Sequence, residues 1–136
     1  MKVRVTQRYS ATPERVFDAW LDRKTAGRWL FATAARPISR VRIDARPGGA
    51  FQFVERGAGC DLVHAGEYVV IARPRRLVFT LSERKVRVRV EIVPQGRGCE
   101  LTLVEERTPL EQASGIEGRW AGMLYGLGTM LRERGS

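Results

Sequence analysis

The segment Val86-Arg87-Val88-Arg89-Val90-Glu91-Ile92 decides the fold. β-Branched residues at every second position, with charged residues between them, give a strand one apolar and one wet face. An antiparallel sheet keeps one face on a core, so this valine row needs a cover. Outward from it, residues 77–81 form a nearly continuous apolar strand. After a turn at 94–98, Leu101 and Leu103 continue the alternation in a last strand ending near Glu106. Upstream, Val41 and Ile43 alternate with Arg42 and Asp44, and Pro47-Gly48-Gly49 supplies a hairpin turn. Phe51 and Phe53 then share a face. A turn at 57–59 leads to a strand over about 64–71, which Arg73-Pro74 stops.

The N-terminal residues 3–9 alternate as a further half-buried strand. Thr12-Pro13 reads as an N-cap followed by proline at the first helical position. Val16, Phe17, Trp20 and Leu21 make one apolar helical face, and Asp22 caps a second short helix running to about Trp29. Residues 30–39 have no clear period and read as a loop.

Thr108-Pro109-Leu110-Glu111 is a capping-box pattern, and residues 114–117 repeat it, so a long helix starts at one or the other. Ile116, Trp120, Met123, Leu124, Leu127, Met130 and Leu131 form its apolar stripe. Glycines at 115, 118, 122, 126 and 128 interrupt it. Each interior glycine costs about 0.5–1 kcal/mol relative to alanine, so the helix depends on tertiary packing. The same glycines permit close backbone approach to a neighbouring surface.

These elements give an α+β fold in the order β-α-α-β6-α, a strongly curved antiparallel sheet wrapped around a long C-terminal helix. The 136 residues fit a single domain spanning 1–136. A bent sheet around one helix seldom fills completely, so a cavity between them is the expected ligand site.

The layout resembles the helix-grip fold of the START-related superfamily (SRPBCC, the Bet v allergen and lipid-transfer group). Within it the chain is similar to bacterial homologues of the activator of heat-shock-protein-90 ATPase. The matching pieces are Pro13-x-x-Val16-Phe17-x-Ala19-Trp20-Leu21-Asp22, Ala26-x-x-Trp29, Asp44-x-Arg46-x-Gly48-Gly49-x-Phe51 and Gly66-x-Tyr68. They continue with Pro74-x-Arg76-Leu77-Val78-Phe79-Thr80, Leu101-Thr102-Leu103 and Trp120-x-x-x-Leu124-x-x-Leu127. Two positions depart from the pattern: Arg119 separates Gly118 from Trp120, and Leu81 stands where a tryptophan is common. The matching motifs are turns and core positions, so the resemblance speaks to fold and implies no catalytic residue.

The residues expected to line the cavity are Trp29, Phe51, Phe53, Tyr68, Phe79, Trp120, Met123, Leu124 and Leu127. Tyr68 and Trp120 each add a polar tip to an apolar body, suited to orienting a ligand. No catalytic group is assigned. His64 is the only histidine, at a strand start, where a structural or exposed role is expected. Glu55, Asp61 and Glu67 fall on or beside the third and fourth strands and read as solvated carboxylates. No ligand spacing suggests a metal, and no cofactor is expected.

The net charge is +9, almost all of it from arginine. Arg4, Arg8, Arg42, Arg87 and Arg89 point away from the buried residues, with Asp44, Glu91 and Glu100 interleaved. No aromatic residues stand among them as a stacking platform, so specific nucleic-acid binding is not expected. No run reaches the roughly 18 apolar residues of a membrane span, and the N-terminus has no apolar signal region. A cytoplasmic monomer or homodimer is expected, with Cys60 and Cys99 as free thiols. The leading functional expectation is non-enzymatic binding of a small hydrophobic or amphipathic ligand between sheet and helix. The resemblance also implies an alternative, a chaperone co-factor or stress-related interaction protein acting through its surface. A third possibility it implies is a lyase or hydrolase.

Overall fold

The computed structural model describes residues 2–31, 38–57, 59–82, 84–106 and 108–133. Strand β1 (Val3–Tyr9) is followed by helices α1 (Pro13–Leu21) and α2 (Arg23–Trp29). Six strands come next: β2 (Ile38–Ile43), β3 (Ala50–Glu55), β4 (Leu62–Ala72), β5 (Arg76–Leu81), β6 (Val86–Gln95) and β7 (Gly98–Glu106). A short 3-10 turn (Leu110–Gln112) leads into α3 (Ala113–Glu133), which is 21 residues long. The order is the expected β-α-α-β6-α. Strands β2 and β4 begin two residues earlier than their alternation suggested. Most of the expected 30–39 loop lies outside the described residues.

The strands form one antiparallel sheet in the order β1-β7-β6-β5-β4-β3-β2. Hairpin-length turns make each of β2 to β6 pair with its successor, and β1 closes on β7. Val86, Val88, Val90 and Ile92 are all buried, as are Leu101 and Leu103 beside them. Every residue of the α3 stripe is buried except Met123, which is half-buried. The Tyr9 hydroxyl donates to the Leu124 carbonyl at 2.7 Å and ties the helix to β1.

Local chemistry sets the helix starts. Thr12 accepts from the Arg15 N–H at 3.2 Å, and Asp22 accepts from the Thr25 N–H at 3.0 Å. The start of α3 corrects the capping-box expectation. The helix begins at Ala113, between the two candidate boxes, and Thr108 gives its hydroxyl to the Glu105 carboxylate instead. The glycines of α3 need a second correction. A Cβ at Gly115, Gly118, Gly122 or Gly126 would meet nothing within 4 Å, so no close approach within this chain requires them. Only Gly128 faces a neighbour, the Tyr9 ring at 3.3 Å. Close approach matters at Gly66, where a Cβ would collide with the Thr80 carbonyl oxygen and the Phe51 ring. The missing side chain lets Phe51 lie over β4.

Candidate functional site

Period-two geometry brings three polar residues into the concave face. Phe51, Phe53 and Glu55 point inward from β3, and His64, Gly66 and Tyr68 from β4. On β7 the inward row is Leu101, Leu103, Glu105. Glu55 and His64 are close neighbours across the strand pair, since Phe53 pairs with His64 and Glu55 with Leu62. His64 Nε2 lies 2.8 Å from Glu55 Oε2, and both side chains are nearly buried, at 11% and 4% exposed. This corrects the reading of Glu55 as solvated and, of the two roles expected for His64, leaves the structural one. Asp61 and Glu67 do remain exposed.

Glu105 is fully buried and accepts four hydrogen bonds. Arg84 grips it through both terminal nitrogens at 2.7 and 2.8 Å, Thr108 Oγ1 donates at 2.6 Å, and Trp120 Nε1 donates at 3.0 Å. Burial pushes its carboxyl pKa up, but these donors and the Arg84 charge outweigh burial and hold it below its ordinary value. The polar tip of Trp120 is thus committed to Glu105, and the ring is what it offers to a cavity.

Phe31 follows the C-terminus of α2 with φ of 61°, a left-handed conformation unusual for a bulky residue. Its N–H points at Met123 Sδ, 3.1 Å away. Its ring stacks on His64 with centroids 4.6 Å apart and planes 5° from parallel.

Two spaces adjoin that ring. The outer one, at the head of α3, measures about 100 Å³ and is lined by Phe31, His64, Arg84, Ile116, Arg119, Trp120 and Met123. The inner one is a sliver of about 10 Å³ among Trp20, Leu30, Phe31, Phe51, Phe53, Tyr68, Leu77 and Phe79. Of the nine expected lining residues, Phe51, Phe53, Tyr68 and Phe79 meet at the inner space, and Trp120 and Met123 at the outer. Trp29, Leu124 and Leu127 border neither. The Trp29 indole N–H donates to the Ala19 carbonyl at 3.0 Å, and its ring sits edge-on to Trp20. Leu124 and Leu127 lie farther along α3, fully buried. Burial pushes the Tyr68 hydroxyl pKa up, and the Asp44 charge adds to the shift.

Sequence reasoning missed Phe31, Arg84, Glu105, Ile116 and Arg119 as site residues. A larger hollow of about 520 Å³ lies between α1–α2 and the end of α3, but it is an open groove. Its Asp18 is engaged by Arg73 at 2.7 Å, and its Arg15 donates to the Leu131 carbonyl. A histidine oriented by a carboxylate suits acid–base work. The outer cavity has no serine, threonine or cysteine among the described residues that line it. Among the described residues no group of three His, Cys, Asp or Glu side chains is placed to hold a metal, and no helix is long and apolar enough to cross a membrane. Cys60 is exposed and Cys99 buried, both as free thiols.

On the convex face the interleaved acids do pair with arginines. Arg8 meets Glu100 at 3.3 Å, and Arg89 meets Glu91 at 3.2 Å and Glu106 at 3.6 Å.

A curved seven-stranded antiparallel sheet holding a C-terminal helix, with aromatic side chains between them, defines a protein of the helix-grip class. Within that class, the family model described as activator of Hsp90 ATPase homolog 1-like protein matches residues 10–132, and the chain belongs to this family. Its fold is similar to that of an AHSA1-like protein from Aeromonas hydrophila, at 22% identity and TM-score 0.84, covering 99% of this chain and 94% of that one. It is likewise similar to a protein from Nitrosomonas europaea, at 18% identity and TM-score 0.85, with 98% and 96% covered. A protein from Chromobacterium violaceum is 25% identical with TM-score 0.82, with 96% of each chain covered. No curated protein matches the chain.

Proposed function

We propose that the protein binds a small hydrophobic or amphipathic ligand between the sheet and α3, without catalysing a reaction on it. The observation that carries this reading is the outer cavity at the head of α3, apolar on Phe31, Ile116, Trp120 and Met123 and edged by His64, Arg84 and Arg119. An apolar body with a few convergent polar groups is the usual make-up of a ligand site. The cavity of about 100 Å³ is smaller than the roughly 300–1,000 Å³ of pockets that take drug-sized ligands. The ligand is therefore small, or its binding is coupled to opening. In the second case the apparent affinity falls with the fraction of molecules already open. Native mass spectrometry of freshly purified protein tests the reading, since it reports bound small molecules and stoichiometry together. A one-to-one adduct that a hydrophobic competitor displaces supports it. The absence of any adduct, together with no thermal stabilisation across a broad library of apolar compounds, contradicts it.

A second reading draws on the outward face of β4, where Val63 and Val69 are each at least 40% exposed. Scattered exposed apolar residues are ordinary, but two on one strand face suit a protein partner, in keeping with the family's description. Under that reading the protein acts as a co-factor through its surface. Polar substitution of Val63 and Val69 abolishes the function while leaving the cavity intact.

A further inference from the structure

Resting on the ligand-binding reading, we propose that the Phe31 ring occupies the place of a ligand's ring, and that the site takes a small aromatic carboxylate. Among the described residues Phe31 alone lines both spaces, so its ring is the partition between them. Three aromatic walls surround that ring. His64 lies parallel beneath it, Phe53 meets it at 5.2 Å and 70°, and Trp120 at 6.0 Å and 59°. Stacked and edge-to-face contacts are the favoured geometries for a flat aromatic guest. Phe31 itself is held there on unfavourable terms. Its φ of 61° disfavours any residue with a bulky side chain, and its N–H reaches a thioether sulfur, a weak acceptor. When the ring swings out, the cavity of about 100 Å³, the sliver of about 10 Å³ and the ring's own volume become one space. A dry apolar cavity of about 150 Å³ is enough to hold one benzene ring.

Charge around the site selects a carboxylate. Arg84 is already neutralised by its two bonds to Glu105, and His64 faces Glu55. Arg119 lines the same cavity, is exposed, and makes no ion pair among the described residues. It is the cation left to receive an anionic group at the rim, where a guanidinium matches a carboxylate with two parallel hydrogen bonds. The ring goes inward onto His64 and the carboxylate stays outward on Arg119.

The test titrates phenylacetate and its uncharged counterpart phenylacetamide into the full chain, reading tryptophan fluorescence and the Trp120 indole resonance. Phe31→Ala and Phe31→Leu are expected to bind phenylacetate about tenfold more tightly than the parent chain, since the internal competitor is gone. The acid is expected to bind about tenfold more tightly than the amide, and Arg119→Gln is expected to erase that preference. Arg119 is exposed, so its substitution reads charge and leaves the fold intact. Equal affinities of the parent and Phe31→Leu chains, or of acid and amide with Arg119 present, overturn the proposal. If larger apolar ligands still bind in that event, the ligand-binding reading stands without it. If no apolar ligand binds any variant, both fall.

Discussion

The indole N–H of Trp120 donates to Glu105 Oε1 at 3.0 Å, joining the head of α3 to the end of β7 through a fully buried carboxylate. That carboxylate also holds Arg84 and Thr108, so one residue fixes the β5–β6 turn, the α3 approach and the helix itself. A buried charge is tolerable only when its hydrogen-bonding sites are filled, and here they are.

Glu105→Gln keeps the shape and removes the charge. Breaking a buried ion pair by changing one partner costs about 3–5 kcal/mol. Arg84 is 24% exposed and regains water, so the loss is expected at the lower end of that range. Urea denaturation reads it as a lowered midpoint with the slope unchanged. A change near zero contradicts the role given to this network.

Acid stability follows from the same residue. The folded-state pKa of Glu105 lies below its unfolded value, which is about 4.3 for a free glutamate. Between the two values the unfolded chain binds more protons, so stability rises with pH across that window. The contribution is complete above about pH 4.3 and is lost as pH falls through the folded-state value. Melting temperatures between pH 2 and 6 are expected to fall less steeply for Glu105→Gln than for the parent chain. Parallel curves count against it.

Gly118→Ala and Gly122→Ala test whether the α3 glycines serve packing within this chain. A Cβ at either site meets open space, so each change is expected to stabilise by about 0.5–1 kcal/mol. Thermal or urea unfolding measures this directly. Destabilisation at either position contradicts the open geometry.

Despite the charge of +9, nucleic-acid binding is expected to be weak and non-selective. Arg8, Arg73 and Arg89 are engaged by carboxylates, which limits how many guanidinium groups reach phosphates together. Binding to a mixed-sequence duplex should fall steeply as salt rises. Sub-micromolar, sequence-selective binding at physiological salt contradicts the solvated-face reading.

The fold was legible because its period changes are clean. The alternation from Val86 to Ile92 and the stripe from Ile116 to Leu131 sit on the sheet and helix faces their spacing dictates. The site was less legible, although part of it was written in the same alternation. Glu105 continues the inward row of Leu101 and Leu103, and Glu55 continues that of Phe51 and Phe53, but the charge of Glu55 suggested water. His64 shares parity with Tyr68 in the same way. Parity outweighs charge wherever a partner stands opposite, and partners such as Arg84 come from turns whose reach no periodicity encodes. Phe31 was invisible for another reason: its position depends on a single left-handed backbone angle in a stretch without period. The Thr108 capping box is not realised: no side chain caps the 3-10 turn that follows, and the Thr108 hydroxyl donates to the buried Glu105 carboxylate three residues upstream.

Entry of a ligand at the head of α3 is read out by two-dimensional NMR of the labelled chain. Trp20, Trp29 and Trp120 give three indole N–H resonances, and Met123 gives a methyl signal at the cavity wall. With a saturating apolar ligand, stoichiometric shifts are expected, centred on Trp120, Met123, Phe31 and Ile116, with Trp29 moving little. Shifts confined to the convex strands or to the exposed side chains of β4, with Trp120 and Met123 unmoved, would contradict it.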